Sequence, residues 1–274
     1  MLKSLQGPQV QRYKDEGALF PIDVLRPEEI RHYRAQVQAM EDYFGRPMKH
    51  IELVHPHVHY PWAYELVRHP RVLDAVEDVL GPNILVHHST LFCKYPQNDK
   101  YIAWHQDGFF MDFEEPQYVT AWVALTESNR QNGCLRVVLN THRRKYEHAQ
   151  VVDEKNMLAS GLTMVENVEQ TDIRDIELKA GQMSLHHVNL VHCSDANQSD
   201  DQRIGFAIRY IAPSVSQSTP HFGVMLVRGA DHYQHYQHIE PKLCDTIAQG
   251  VREQRAFQKE NLKRRGLVIA QAQT

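Results

Sequence analysis

Three patterns in the 274 residues predict a mainly β chain with flanking helices, folded as a double-stranded β-helix (jelly-roll, cupin-like) barrel. Apolar residues recur at helical spacing only towards the two ends, within 8–82 and 241–267. Between them, from 84 to 228, β-branched and aromatic runs follow one another at short intervals, separated by turn signals such as Asn132-Gly133. Late in that region a strand reaching His192 is followed by a polar turn and a strand opening at Arg203, so the second folds back beside the first.

Each element has a local reason. Val10 to Glu16 reads as a short helix and Leu19-Phe20-Pro21 as a turn or strand. At Leu25-Arg26-Pro27-Glu28-Glu29 a first-turn proline followed by acids suits a helix N-terminus and its dipole. Ile30, Tyr33, Val37 and Met40 or Glu41 then make an apolar stripe that supports a sheet. In Val54-His55-Pro56-His57-Val58-His59-Tyr60-Pro61-Trp62 three histidines alternate along the chain. A loop over a pocket mouth is expected there in preference to a second metal site. Pro70 to Leu80 reads as a helix stopped at Gly81-Pro82.

From Ile84 the pattern turns to strands: Ile84 to Tyr95, Tyr101 to Asp107, Tyr118 to Thr126 and Cys134 to Leu139. In the third, Val119, Ala121, Val123 and Leu125 alternate with Thr120, Trp122 and Ala124. Thr141 to Arg174 is charged and aperiodic, and is expected to be an insertion between barrel strands. Its Arg143-Arg144-Lys145 run reads as solvated surface. Val224 to Val227 gives one more strand. Pro241 to Leu267, with Ala248, Val251, Phe257 and Leu262 among many charges, reads as a solvated helix docking on the barrel or on a partner. One core can reach this length before splitting, so residues 1–274 are expected to form a single domain.

A formal net charge of −4 gives no reason to expect nucleic acid or an anionic membrane as partner. No signal peptide is recognised, and no apolar run approaches the roughly 20 residues of a spanning helix. Cys93, Cys134, Cys193 and Cys244 make no C-x-x-C and no disulfide framework, so a reducing, cytoplasmic setting is expected. His232, His235 and His238 recur every three residues, a spacing that drifts around a helix instead of converging on a metal.

The chemistry-bearing stretch is Trp104-His105-Gln106-Asp107-Gly108. In an extended chain His105 and Asp107 point the same way. A third ligand, His192 from another strand, would complete two histidines and one carboxylate on one face of an iron, with the opposite face open. After the polar turn, Arg203, Gly205, Ala207 and Arg209 share a face, while Ile204, Phe206 and Ile208 take the other. Small residues beside an arginine leave a pocket with a fixed cation, which suits a carboxylate ligand.

These segments resemble the phytanoyl-CoA dioxygenase family of iron(II)- and 2-oxoglutarate-dependent oxygenases, and within it the bacterial natural-product hydroxylases and related halogenases. The resemblance covers most of the chain. It rests on Phe92-Cys93-Lys94-Tyr95-Pro96, Trp104 to Gly108, Thr120 to Thr126, Asn132 to Val138 and His192 to Tyr210, in that order and spacing. It implies His105, Asp107 and His192 on iron, Arg203 on the distal carboxylate of 2-oxoglutarate, and Gln106, Trp122 and Ser194 along the cosubstrate pocket. Cys193 departs from the glycine usual in the family and is expected to face away from the metal. Asp107 occupies the position that is alanine or glycine in the halogenating relatives, so halogenation is not expected.

The implied activity is hydroxylation of an unactivated C–H bond of a small-molecule or carrier-bound biosynthetic intermediate, using dioxygen and releasing succinate and CO2. A zinc hydrolase using the same ligands, and a non-catalytic ligand-binding relative, are the alternatives. Residues that choose the substrate are expected in His50 to Trp62, Phe109 to Gln117 and Thr141 to Arg174. Oligomeric state is left open.

Overall fold

The computed structural model describes residues 2–110, 117–158, 161–166, 172–216 and 223–264. Its frame is two antiparallel sheets. The larger runs in the order β1 (Ala18–Asp23), β9 (Gln182–His187), β4 (Tyr118–Ala124), β11 (Arg203–Ile211), β2 (Ile84–Lys94), β12 (Met225–Arg228). The smaller runs β3 (Ile102–His105), β10 (Val191–Ser194), β5 (Leu135–Val138), β8 (Ile173–Ile176). Sheet neighbours are distant in sequence, and the chain repeatedly crosses between sheets, which is the jelly-roll arrangement expected. A separate hairpin pairs β6 (His148–Gln150) with β7 (Leu162–Met164).

The strand faces sort as the alternation in β11 predicts. Ile204, Phe206 and Ile208 are wholly buried and join one core with Val72, Leu73 and Val76 of α5 (Pro70–Leu80) and Tyr33, Val37 and Met40 of α2 (Pro27–Phe44). Each such large apolar side chain contributes about 2 kcal/mol through burial. The opposite face turns inward, where Trp122, Ala124 and Ala207 meet Leu135, Val137 and Ile176 of the smaller sheet. Prolines open α2, α4 (Pro61–Val67) and α5, where a missing N–H costs nothing. Left-handed Gly17 and Gly45 close α1 (Gly7–Glu16) and α2. No helix among the described residues is long and apolar enough to cross a membrane.

Four expectations are corrected. Residues 50–62 are not an open loop: α3 (His50–Leu53), a 3-10 turn at Pro56–Val58 and the start of α4 follow one another, because Pro56 and Pro61 each open a helical turn. His55, His57 and His59 are buried, and among the described residues they form no metal cluster. The 141–174 insertion carries the β6–β7 hairpin and ends earlier, since β8 already begins at Ile173; residues 159–160 and 167–171 lie outside the described residues. The last helix, α6 (Ile247–Arg264), starts six residues later than expected, and 265–267 lie outside the described residues. It is docked on its own chain: Gln254 Nε2 donates to the Val54 carbonyl at 2.6 Å, and the Phe257 ring lies 5.6 Å from His55 and 5.5 Å from His59. Finally, β3 ends at His105, and Asp107 opens a 3-10 turn instead of continuing the strand.

Burial, reinforced by the neighbouring His59, drives the His57 imidazole from 6.5 down to about 3. The unfolded chain then binds one more proton than the folded one below the ordinary histidine range, so this contribution is present above about pH 6.5 and is lost as pH falls towards 3. About 2 kcal/mol of stability is expected to disappear between about pH 7.5 and 5 from this residue. The urea midpoint measured across that window reads it, and His57→Gln should flatten the slope; an unchanged slope would refute the assignment.

Candidate metal centre

Cross-strand pairing places His192 of β10 directly opposite His105 of β3, with ring centroids 4.1 Å apart. Asp107 follows one turn later, its Oδ1 3.6 Å from His105 Nε2. One ligand atom from each of the three lies within 4.8 Å of the others, and all three residues are buried. Nothing else among the described residues gathers three such groups. Each imidazole is already oriented: Nδ1–H of His105 donates to the Ala103 carbonyl and Nδ1–H of His192 to the Leu190 carbonyl, both at 2.8 Å. The Nε2 atoms are thereby left for a metal. Burial, with His105 adding to it, holds His192 well below its usual range and therefore neutral.

Asp107 is held from behind by a residue that sequence reasoning placed on the right face without naming its partner. Arg209 grips it bidentately, Nε to Oδ2 at 3.0 Å and Nη2 to Oδ1 at 2.9 Å, and Thr120 Oγ1 donates to Oδ2 at 3.3 Å. Burial alone would raise the carboxyl; Arg209, His105 and His192 outweigh it and hold it well below the usual range. A Cβ at Gly108 would lie 2.0 Å from Asn189 Oδ1, so any larger residue there would have to displace that side chain.

A cavity lined by the triad extends to Arg203. Arg203 is 2% exposed and its Nε has no partner among the described residues. No carboxylate among the described residues pairs with it, and burial pushes it down to about 10, so it remains a buried cation. Trp122 covers it, with the guanidinium carbon 5.4 Å from the ring centroid. Ser194 also lines the cavity, and its Oγ is unpartnered among the described residues. Phe92, Ile102, Leu135 and Leu158 supply apolar wall, the last from the 141–174 insertion.

Gln106 is not brought into this cavity. Standing between two inward residues it turns away, donating to the carbonyls of Arg144 and Asn189 and accepting from the Tyr146 amide. Its role there is to tie the turn to neighbouring loops. Cys193 is buried and, as expected, does not line the cavity. Two residues went unnoticed in the sequence. Lys94, opposite Arg203 in the β11–β2 ladder, donates to the carbonyls of Ser194 and Asp195, and burial together with the Arg203 charge pushes it down to about 6. His186 faces the cavity beside His192, ring centroids 4.9 Å apart. The first lies in the Phe92-Cys93-Lys94-Tyr95-Pro96 stretch, which gave it no role; no sequence signal separates the second from its neighbour His187.

Gly205 explains how the tryptophan reaches Arg203. A Cβ at this position would lie 1.9 Å from Trp122 Cζ2, so only glycine leaves room for the ring. Gly205→Ala is expected to displace the indole and cost about 1–3 kcal/mol, read as a lowered urea midpoint; an unaltered midpoint would contradict that packing.

The family model described as phytanoyl-CoA dioxygenase (PhyH) matches residues 13–205. A probable alpha-ketoglutarate-dependent hypophosphite dioxygenase of Stutzerimonas stutzeri is 29% identical over 161 residues, covering 57% of this chain and 55% of that protein. The chain thus matches about half the length of that relative. The ectoine dioxygenase of Bordetella parapertussis is 25% identical over 248 residues, covering 81% of this chain and 80% of its own. Among solved structures, the apo form of the non-heme monooxygenase ThoJ superimposes with a TM-score of 0.78 at 27% identity, covering 93% of this chain and 96% of ThoJ. The chain belongs to the phytanoyl-CoA dioxygenase family.

Proposed function

We propose that the chain is an iron(II)- and 2-oxoglutarate-dependent dioxygenase that hydroxylates an unactivated C–H bond of a small molecule, free or carrier-bound, releasing succinate and CO2. The observation that carries this reading is Arg203: a buried cation with no acid paired to it among the described residues, facing a cavity that also holds the two histidines and the carboxylate of the triad. Such a charge is costly unless a ligand supplies the anion. A dicarboxylate reaching from the triad to Arg203 satisfies both ends.

His105, Asp107 and His192 would hold the metal by Nε2, a carboxylate oxygen and Nε2, leaving one face open. Bound iron(II) with 2-oxoglutarate would supply the activation of dioxygen that the side chains cannot. Arg209 and Thr120 fix the Asp107 carboxylate so that it presents one orientation to the metal. Arg203 holds the far carboxylate with charge-assisted hydrogen bonds, and Ser194 Oγ adds a donor. Trp122 packs across the guanidinium, while Phe92, Ile102, Leu135 and Leu158 keep water from the cosubstrate.

Asp107 fills the place a halide would take, which favours hydroxylation over halogenation. A zinc hydrolase on the same ligands leaves Arg203 with nothing to bind. ThoJ, which superimposes with a TM-score of 0.75 in its nickel complex, is a metal-binding neighbour, which supports a metal-dependent reading of this chain. Reaction under isotopically labelled dioxygen tests the proposal: one labelled oxygen atom is expected in succinate and the other in the hydroxylated product. Product formed with oxygen from water and without succinate would refute it.

A further inference from the structure

The ladders of the larger sheet build a polar row across four strands: His186 lies opposite Thr120, Thr120 opposite Arg209, and Arg209 opposite His88. Residues directly opposite share a face, so the whole row looks inward. It passes beneath Asp107, since both Thr120 and Arg209 bond that carboxylate. Arg203 stands six residues back along β11, roughly 20 Å of strand away. The cavity therefore has a cosubstrate end at Arg203 and a second polar end at His186.

His186 is 2% exposed, lines the cavity, and neither of its ring nitrogens has a hydrogen-bond partner among the described residues. An imidazole buried in this way needs a ligand to complete its hydrogen bonds. Charge says which kind. Asp107 is the one acidic side chain among the described cavity-lining residues, against Arg203 and Arg209. A divalent metal, one carboxylate ligand, the dianionic cosubstrate and the two guanidiniums together leave one positive charge unbalanced.

We propose that His186, in the field of Arg209, binds the anionic head of the substrate, and that the substrate is a small oxyanion-bearing molecule held at the end of the cavity opposite Arg203. This rests on the iron and 2-oxoglutarate reading above. His186 donates a hydrogen bond from its ring N–H to fix the head, and the Arg209 end of the row supplies the field that selects an anion over a neutral analogue.

The test uses the protein loaded anaerobically with iron(II) and saturating 2-oxoglutarate, with acetate and hypophosphite as anionic probes and acetamide as the neutral one. Binding is read by calorimetry and by perturbation of the visible charge-transfer band. The anions are expected to bind at least tenfold more tightly than acetamide. His186→Leu should weaken them at least tenfold, His186→Gln by no more than about threefold, and 2-oxoglutarate affinity should hold in both. His186→Phe, which keeps the ring and removes both nitrogens, should show the same loss of anion affinity if the leucine variant fails to fold.

Equal binding of acetamide and acetate would overturn the proposal, as would undiminished anion affinity in His186→Leu. A parallel loss of 2-oxoglutarate affinity would also overturn it, making His186 a cosubstrate residue. Anion selectivity without any charge-transfer band would sink the cofactor reading alone. The band without anion selectivity would sink this inference alone.

Discussion

Arg203→Ala is expected to raise the 2-oxoglutarate concentration needed for half-saturation by about two orders of magnitude, corresponding to ~3 kcal/mol for a lost buried, charge-assisted pair. Iron affinity should be largely kept, because Arg203 lies at the far end of the cavity from the three ligands. The same change has a second signature. Arg203 is a buried cation that no carboxylate among the described residues pairs with, so removing it should leave the protein without cosubstrate no less stable, or more so. Loss of cosubstrate affinity with stability retained separates an anchoring cation from a structural salt bridge. An Arg203→Ala protein that binds 2-oxoglutarate normally, or that unfolds, would take Arg203 out of this role.

Asp107→Ala is expected to abolish hydroxylation and to weaken metal binding, and to cost about 3 kcal/mol of stability, because the Arg209 guanidinium is left buried without its acid. The stability loss is a consequence of the pairing and not of the missing metal. A double variant, Asp107→Ala with Arg209→Met, should therefore recover much of the stability and none of the activity. Denaturant midpoints of the apo proteins, compared in a double-mutant cycle, measure the coupling. Retained hydroxylation in Asp107→Ala would contradict the ligand assignment, and a single variant as stable as the parent would contradict the Arg209 clamp.

The parts of this site that sequence alone reveals are those set by local periodicity. Alternation in β11 puts Arg203, Gly205, Ala207 and Arg209 on one face, and the structure keeps them there. His105 and Asp107 point together despite the end of the strand at His105, because one tight turn returns Asp107 to the same side. What was not legible depends on register between distant strands. Arg209 finds Asp107 only once β11 is paired with β4 and the β3 turn is laid over it. His186 stands on a strand most of whose residues are buried, so hydropathy cannot tell its inward side from its outward one. The 50–62 segment misled for another reason: its histidines look solvent-facing by composition, yet two proline-initiated turns and α6 bury them. Of the expected substrate-facing stretch 109–117, residues 111–116 lie outside the described residues.

The central claim is that one metal, held by His105, Asp107 and His192, shares a cavity with a 2-oxoglutarate held by Arg203. Anaerobic addition of iron(II) and 2-oxoglutarate, followed in the visible, tests it most directly. A weak charge-transfer band that needs both additions, saturates at one equivalent of each, and demands far more 2-oxoglutarate in Arg203→Ala is the result predicted. A wild-type protein that shows no band, retains zinc instead and forms no succinate on admission of air would contradict it.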